Sequence, residues 1–157
     1  MATLAERLLR PEAREAVIEG CCGLVDDEVS NKRGLSGVAV KAGFAVVSRV
    51  KPGFIREVVS KLLPEFVAAL EPAYEQSRAE VGEAGEGGDA RVAEVFVARV
   101  TRERGATAEA LLAVTDSRIG EARPSVRKAY EKLRPTAREN VEAALPGLLA
   151  AIRRHLD

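Results

Sequence analysis

Few side chains in this sequence have the types and spacing that catalysis or metal binding requires. The only histidine, His155, lies close to the C-terminus, in the last turn of a helix that we expect there. A cation at that place interacts favourably with the helix dipole. One histidine cannot supply the several ligands of a zinc site, and no nucleophile with a neighbouring base accompanies it. We therefore predict no catalytic residue, and the sequence favours a protein without enzymatic activity.

The two cysteines, Cys21 and Cys22, are neighbours in the chain. Their thiolates could bind a soft metal, but adjacent helical residues point about 100° apart and no other soft ligand is near in sequence. Adjacent cysteines also cannot join distant segments as a disulfide scaffold does. We expect both thiols to pack in the core, and we predict no metal site and no cofactor from them.

The densest acidic cluster consists of Asp26, Asp27 and Glu28, and Asp116 holds a loosely comparable place in the second half. Such carboxylates could hold a hard cation or act as a general acid and base. The calcium-loop pattern fails, however, because Val29 stands where an oxygen ligand is needed. We expect solvated charges or salt bridges here, and the sequence leaves metal binding by the cluster open.

Positive and negative charges balance over the whole chain but are unevenly distributed. The formal net charge is zero, so no global field attracts nucleic acid. Residues 31–63 carry seven basic side chains against one acid, whereas residues 64–94 carry eight acids against two arginines. We expect these two blocks to be solvated helix faces that neutralise each other within the fold or between subunits. Nucleic acid is disfavoured as a partner.

The N-terminal residues and the hydropathy pattern indicate a cytoplasmic protein of one domain. The first residues lack the basic start and long apolar centre of a secretory signal. No apolar run reaches the roughly 20 residues that span a bilayer, because Lys41, Arg49 and Lys51 interrupt the best candidate. We therefore predict no transmembrane segment and a single helical domain over residues 1–157.

Helix start and stop signals occur along almost the whole chain, and strand signals are nearly absent. In the first half, helices are predicted after a capping box at Thr3, from Pro11 to about Asn31, from a cap at Ser36 to near Val50, and from Pro52; Pro64 either starts or kinks the next one, which reaches Leu70 or continues beyond Pro72 to Arg78. In the second half, helices are predicted around Val92–Val100, from about Thr107 to Gly120, from Pro124 to Leu133, and from Pro135 to Leu156, with a bend at Pro146 left open. Residues 81–90 combine four glycines with acids and predict a flexible loop. The fold class is all-α, a compact bundle of six to eight short helices.

Two parts of the sequence resemble each other. Residues 51–70 and 134–152 both have a basic residue followed by proline, then about ten residues, Leu-Pro and an apolar Ala-Ala ending. Residues 40–44 and 126–130 match in the same order. A duplication would give two similar helical hairpins about a pseudo-twofold axis. The alternative, that helices opened by proline converge on such patterns through composition, stays open.

The run from Gly34 to Gly53 is apolar on nearly every side of its helical projection and is rich in small residues. Glycine within a helix costs about 1 kcal/mol relative to alanine, so Gly37 and Gly43 predict the close approach of another backbone or a ligand. We expect Val38, Phe44 and Val47 to be packing residues. The candidate interaction or ligand surface comprises Gly37, Lys41, Gly43, Phe44, Arg49 and Lys51.

Several segments also resemble a known family. They are GLSGVAVKAGF, VKPGF, LLPEFVAAL, LLAVTDSR and VRKAYEKLRP. Together they are similar to a family of small bacterial helical proteins known only as a domain of unknown function. The resemblance implies an all-helical bacterial fold and supplies no catalytic residues.

Two functions from different classes follow as expectations. The first is a non-enzymatic helical interaction or scaffold protein, and the sequence is compatible with a homo-oligomer whose basic and acidic blocks pair between subunits. The alternative is binding of a hydrophobic small molecule or lipid between small-residue helices, with Lys41, Arg49 or Lys51 meeting an anionic head group.

Overall fold

The computed structural model of the chain describes residues 2–32, 34–82 and 87–156. These residues form seven α-helices and one short 3₁₀ turn, without a strand among them, which confirms the all-α prediction. The helices are α1 (Leu4–Leu8), α2 (Pro11–Asn31), α3 (Gly34–Ser48), α4 (Phe54–Val81), α5 (Gly88–Arg102), α6 (Arg104–Arg118) and α7 (Pro124–Arg153), with the 3₁₀ turn at Ile119–Glu121.

The first two helices begin as the sequence predicts. Thr3 Oγ1 accepts a hydrogen bond from the Glu6 amide at 3.1 Å, and the Glu6 carboxylate accepts one from the Thr3 amide, which completes the capping box. The carboxylate of Glu71 on α4 accepts hydrogen bonds from the amides of Leu4 and Ala5, at 2.9 and 3.1 Å. The short helix α1 is therefore held at its N-terminus by α4.

Four prolines lie within α4 and α7, which are longer than the helices predicted in these regions. Pro64 and Pro72 lie inside α4, and Pro135 and Pro146 lie inside α7. The predicted break between Leu133 and Pro135 is therefore wrong. All four prolines are exposed, so water can reach the carbonyl groups that lose their amide partner. The helices can thus continue past the prolines on their buried sides.

The two similar segments of the sequence adopt different local structures. Pro52 lies in the break between α3 and α4, where Gly53 has a φ of 74°, a left-handed conformation that favours glycine. Its counterpart Pro135 is inside the continuous helix α7. The predicted pair of similar hairpins is therefore not seen at this point, and a pseudo-twofold relation stays a prediction.

Part of the predicted loop at residues 81–90 belongs to helices, because Val81 ends α4 and α5 already begins at Gly88. Residues 83–86 of that prediction lie outside the described part. So does the side chain of Ser36, the predicted cap of the third helix, which itself begins two residues earlier.

The core lies between α4 and the helices packed around it. Tyr74 of α4 and Phe96 of α5 are almost fully buried, and their rings meet edge to face with centroids 5.4 Å apart. The core cluster also contains residues of α1, α2, α6 and α7, including Leu4, Ile18, Leu111 and Leu149, and Leu156 beyond the end of α7. No residue of α3 belongs to this cluster of described residues, which places α3 at the edge of the bundle.

Candidate docking surface on α3

The two glycines chosen from the sequence are both places of close approach. A Cβ atom at Gly37 would lie 2.7 Å from the carbonyl carbon of Lys32, and one at Gly43 would lie 2.7 Å from Cδ1 of Leu133 on α7. The two glycines therefore let α3 pack closely against the residue that follows α2 and against α7.

The packing residues expected on α3 lie on different sides of the helix. Phe44 and Val47 are half-buried, consistent with packing. Val38 is 67% exposed, so its expected packing role is wrong. It lies five residues from Gly43, which at about 100° per residue places it well away from the side that meets α7.

One side of α3 is exposed and mainly apolar, and we call it the α3 face. It consists of Val38, Ala39, Lys41, Ala42, Ala45, Val46, Ser48 and Arg49, all of which are exposed. Large apolar side chains in the described residues are otherwise covered, and the exposed ones are Val38 and Val46, the latter 40% exposed. No spacing in the sequence distinguishes this face, because the helix is apolar on nearly every side of its projection.

The charged groups on and beside the α3 face are cations. Lys41 and Arg49 are exposed, and neither has an ion-pair partner among the described residues. Lys51, in the connection to α4, pairs with Glu57 at 2.6 Å. The sequence has no Asp or Glu from Val29 to Arg56. Of the predicted surface residues, Lys41 and Arg49 thus share one face, whereas Lys51 is partly neutralised.

The acidic block, residues 64–94, is largely paired within the chain, but with arginines outside the basic block. Arg118 donates to Glu65 at 2.7 Å. Arg99 donates to Glu80 at 2.6 Å, and Arg7 pairs with Asp89 at 2.8 Å. In the described residues, no ion pair joins residues 31–63 to residues 64–94. The expected mutual neutralisation of the two blocks is therefore not seen as ion pairs among the described residues, and neutralisation between subunits stays a prediction.

The cysteines have the character of packed thiols. Cys21 and Cys22 are free, half-buried and packed against the core. Burial, followed by the proximity of Cys22, raises the pKa of Cys21 to about 11, so its thiol stays protonated near neutral pH. Asp26 and Asp27 are exposed on the same helix. Within the described residues, no three His, Cys, Asp or Glu side chains are grouped to hold a metal ion.

His155 follows the end of α7 and differs from the cation that the sequence suggested. Burial lowers its pKa, and the charges of Arg154 and Arg10 lower it further. Its Nε2 atom is buried without a hydrogen-bond partner in the described structure. These surroundings favour the neutral imidazole, because a proton on Nε2 would be neither solvated nor paired.

A polar cluster joins α6 to α7, and sequence reasoning missed it. Tyr130 donates a hydrogen bond to Asp116, and its oxygen lies 2.7 Å from Thr115 Oγ1. Arg134 donates to both oxygens of the same carboxylate, at 3.0 and 3.1 Å. The hydrogen bonds from Arg134 and then from Tyr130 hold the pKa of Asp116 below its usual range. Each polar group has a partner within the chain, so the cluster fastens two helices and offers no free nucleophile or base.

These features define an all-α protein whose described part contains no helix long and apolar enough to cross a membrane. The chain belongs to the family of unknown function DUF6918, whose sequence model matches residues 4–156. This finding confirms the resemblance to an uncharacterised family that the sequence segments suggested. No curated protein and no solved structure matches the chain significantly.

Proposed function

We propose that this protein is a non-enzymatic interaction protein that docks through the α3 face. One observation carries the proposal: exposed Val38 and Val46 lie on one face with Lys41 and Arg49, which have no ion-pair partner among the described residues. Exposed apolar side chains grouped with unpaired charges are typical of interaction sites. The bacterial source and cytoplasmic location expected from the sequence belong to the same proposal.

Ligand binding between small-residue helices, the alternative from the sequence, gains no support from the packing of α3. The space beside Gly43 is filled by Leu133, and Ala39, Ala42 and Ala45 face outwards. Small residues in these positions do not line a space between helices.

The electrostatic attraction expected between the basic block of one subunit and the acidic block of another is weakened. Glu65, Glu80 and Asp89 of the acidic block already pair with arginines of their own chain. A second copy of this chain is therefore one of several candidates for the partner that binds the α3 face, and the experiments must distinguish them.

Chemical labelling of α3 tests the docking proposal even while the occupant is unidentified. In a Cys21→Ala, Cys22→Ala background, Val38→Cys places one thiol on the α3 face, and Ala150→Cys places one at an exposed site of α7. The rate of labelling by a membrane-permeant maleimide is measured for the purified protein and inside cells of the natural host.

We expect Val38→Cys to be labelled more slowly in cells than in the purified protein, because an occupant covers the α3 face. The rate for Ala150→Cys should change much less. Equal ratios for the two positions would show that the α3 face is free in cells and would refute the proposal.

A further inference from the structure

The exposed residues of α3 form a ridge rather than a groove. From Val38 to Arg49 the exposed positions cover about half the circumference of the helix, at about 100° per residue. The other half faces α2, α4 and α7, and the side at Gly43 is closed by Leu133. A convex face does not enclose a ligand. It fits a deformable surface into which its side chains can insert.

Cations accompany the apolar residues of this ridge. Lys41 lies on one flank of α3, and Arg49 follows its C-terminal end. On α7, Leu133 meets Gly43, whereas Arg134 is bonded to α6. Since successive helical residues point about 100° apart, Lys132 lies on the flank of Leu133 that faces away from α6.

Lys132 is a further cation, next in the chain to the α7 residue that contacts α3. It is exposed and has no ion-pair partner in the described part of the chain. Val38, Ala42 and Val46 thus share one exposed face with Lys41 and Arg49, and Lys132 is an exposed cation on the neighbouring helix α7. This arrangement of apolar and cationic side chains is complementary to a membrane surface, where anionic phosphates lie above the hydrocarbon boundary.

We propose that the α3 face binds the surface of a bilayer that contains anionic phospholipids. Val38 and Val46 settle at the boundary between head groups and acyl chains, while the three cations meet lipid phosphates. The helix lies on the membrane and does not cross it. This inference rests on the proposed function, because it names the occupant of the same docking face.

Charge argues against a second copy as the occupant. An antiparallel pair of α3 helices centred on Ala42 would bring Val38 opposite Val46 of the partner subunit, which is favourable. The same pairing would bring together two faces that carry unpaired cations and no carboxylate. Like charges at close range oppose association, whereas an anionic bilayer neutralises both faces separately.

Vesicle flotation with the full chain tests this inference. The probes are vesicles of phosphatidylcholine alone and vesicles of phosphatidylcholine mixed with phosphatidylglycerol. We expect binding to the mixed vesicles, little binding to the neutral ones, and weakening as salt rises. Loss of one cation near an anionic surface reduces binding about fivefold, so Lys41→Gln should show that loss.

Two matched controls separate the α3 face from general charge and fold effects. Lys61→Gln removes an exposed cation of α4 that has no ion-pair partner among the described residues. Lys61 lies one turn before Glu65, which bonds to Arg118 of α6. Lys61→Gln should therefore change vesicle binding much less than Lys41→Gln does. Val38→Asp should weaken binding about tenfold or more, whereas Ala150→Asp on α7 should not. If Val38→Asp alters the circular dichroism spectrum, its loss of binding could come from misfolding. The comparison of vesicle binding by Lys41→Gln and Lys61→Gln then decides whether the α3 face binds the bilayer.

The inference is overturned by equal binding to both vesicle types, by no binding at low salt, or by equal losses in the two lysine variants. Protection of Val38→Cys in cells without vesicle binding would keep the docking function and assign the face to a macromolecule. A native mass at a multiple of 16.8 kDa that Val38→Asp reduces, again without vesicle binding, would assign it to a second copy.

Discussion

The N-terminal half of α7 is held on its two sides by different physical means. Towards α3, Leu133 fits over Gly43, and the close contact depends on the absence of a side chain. Towards α6, Tyr130 and Arg134 bind Asp116 through hydrogen bonds and charge. We call the contact between α7 and α3 at Leu133 and Gly43 the shape-based seam, because it is specified by shape alone. We call the contact between α7 and α6 at Tyr130, Arg134 and Asp116 the ionic seam, because it is specified by polar geometry.

This difference explains why only one of the two partner helices keeps a cationic, apolar face. On α6, the charged residues near the seam are used: Glu109 and Asp116 both lie within 4.0 Å of arginine nitrogens of α7. On α3, the seam uses a glycine and leaves the charged and apolar side chains on the outer side unpaired. An ionic seam uses up charge within the fold, whereas a shape-based seam leaves it for other contacts.

Gly43→Leu should produce the largest effect, because it breaks the shape-based seam. Its Cβ alone would lie 2.7 Å from Leu133, so α3 or Leu133 must move. Overpacking of this kind costs about 1–3 kcal/mol in the free energy of unfolding. Urea denaturation and the melting temperature measure the loss.

A matched glycine on α2 is the control for the first prediction. A Cβ at Gly23 meets nothing within 4 Å, so Gly23→Leu should be neutral or stabilising by up to about 1 kcal/mol. Leu133→Ala should recover part of the loss in the Gly43→Leu protein. An unchanged melting temperature for Gly43→Leu would contradict the assigned contact.

The sequence predicted the helices more reliably than their ends or their outward faces. The capping box at Thr3 and the proline at Pro11 located two helix starts correctly, since both signals act within one turn. Pro135 was misinterpreted as a helix start because local rules do not show whether the lost hydrogen bond faces water. Gly37 and Gly43 signalled close contacts, but not which neighbour fills them.

The candidate site was only partly predictable for a related reason. Lys41 and Arg49 were identified by charge, but Val38 was expected to be a packing residue because an apolar residue in an apolar helix carries no sign of its direction. The side that packs is decided by Leu133, which is 90 residues from Gly43 in the chain. Long-range contacts of this kind cannot be read from spacing within one helix.

Tyr130→Phe should produce a smaller effect, because it removes one hydroxyl from the ionic seam and leaves the ring packing in place. Asp116 and Thr115 would both lose a hydrogen-bond partner. We expect a loss of about 1 kcal/mol in the free energy of unfolding, measured by urea denaturation. An unchanged free energy of unfolding would contradict a contribution of the Tyr130 hydroxyl to the contact between α6 and α7.

Asp116→Asn should produce the smallest effect, a fall in melting temperature below about 2 °C, because exposed ion pairs contribute little. The informative measurement on Asp116→Asn is how its effect on stability depends on pH. The folded-state pKa of Asp116 is lowered by Arg134 and Tyr130 from its ordinary 3.8. The stabilisation is therefore fully present above that ordinary value and is lost as pH falls through the lower, folded-state pKa.

The difference in stability between the wild-type protein and Asp116→Asn should thus be constant near neutral pH and shrink in the acidic range. His155 also titrates on acidification, but it does so in both proteins, so its contribution cancels in the difference. Added salt should reduce the same difference by screening, whereas the loss caused by Gly43→Leu should not respond to salt. A difference that is unchanged by acid would show that Asp116 fastens α6 to α7 without using its charge, and the contrast between the two seams would then be one of geometry alone.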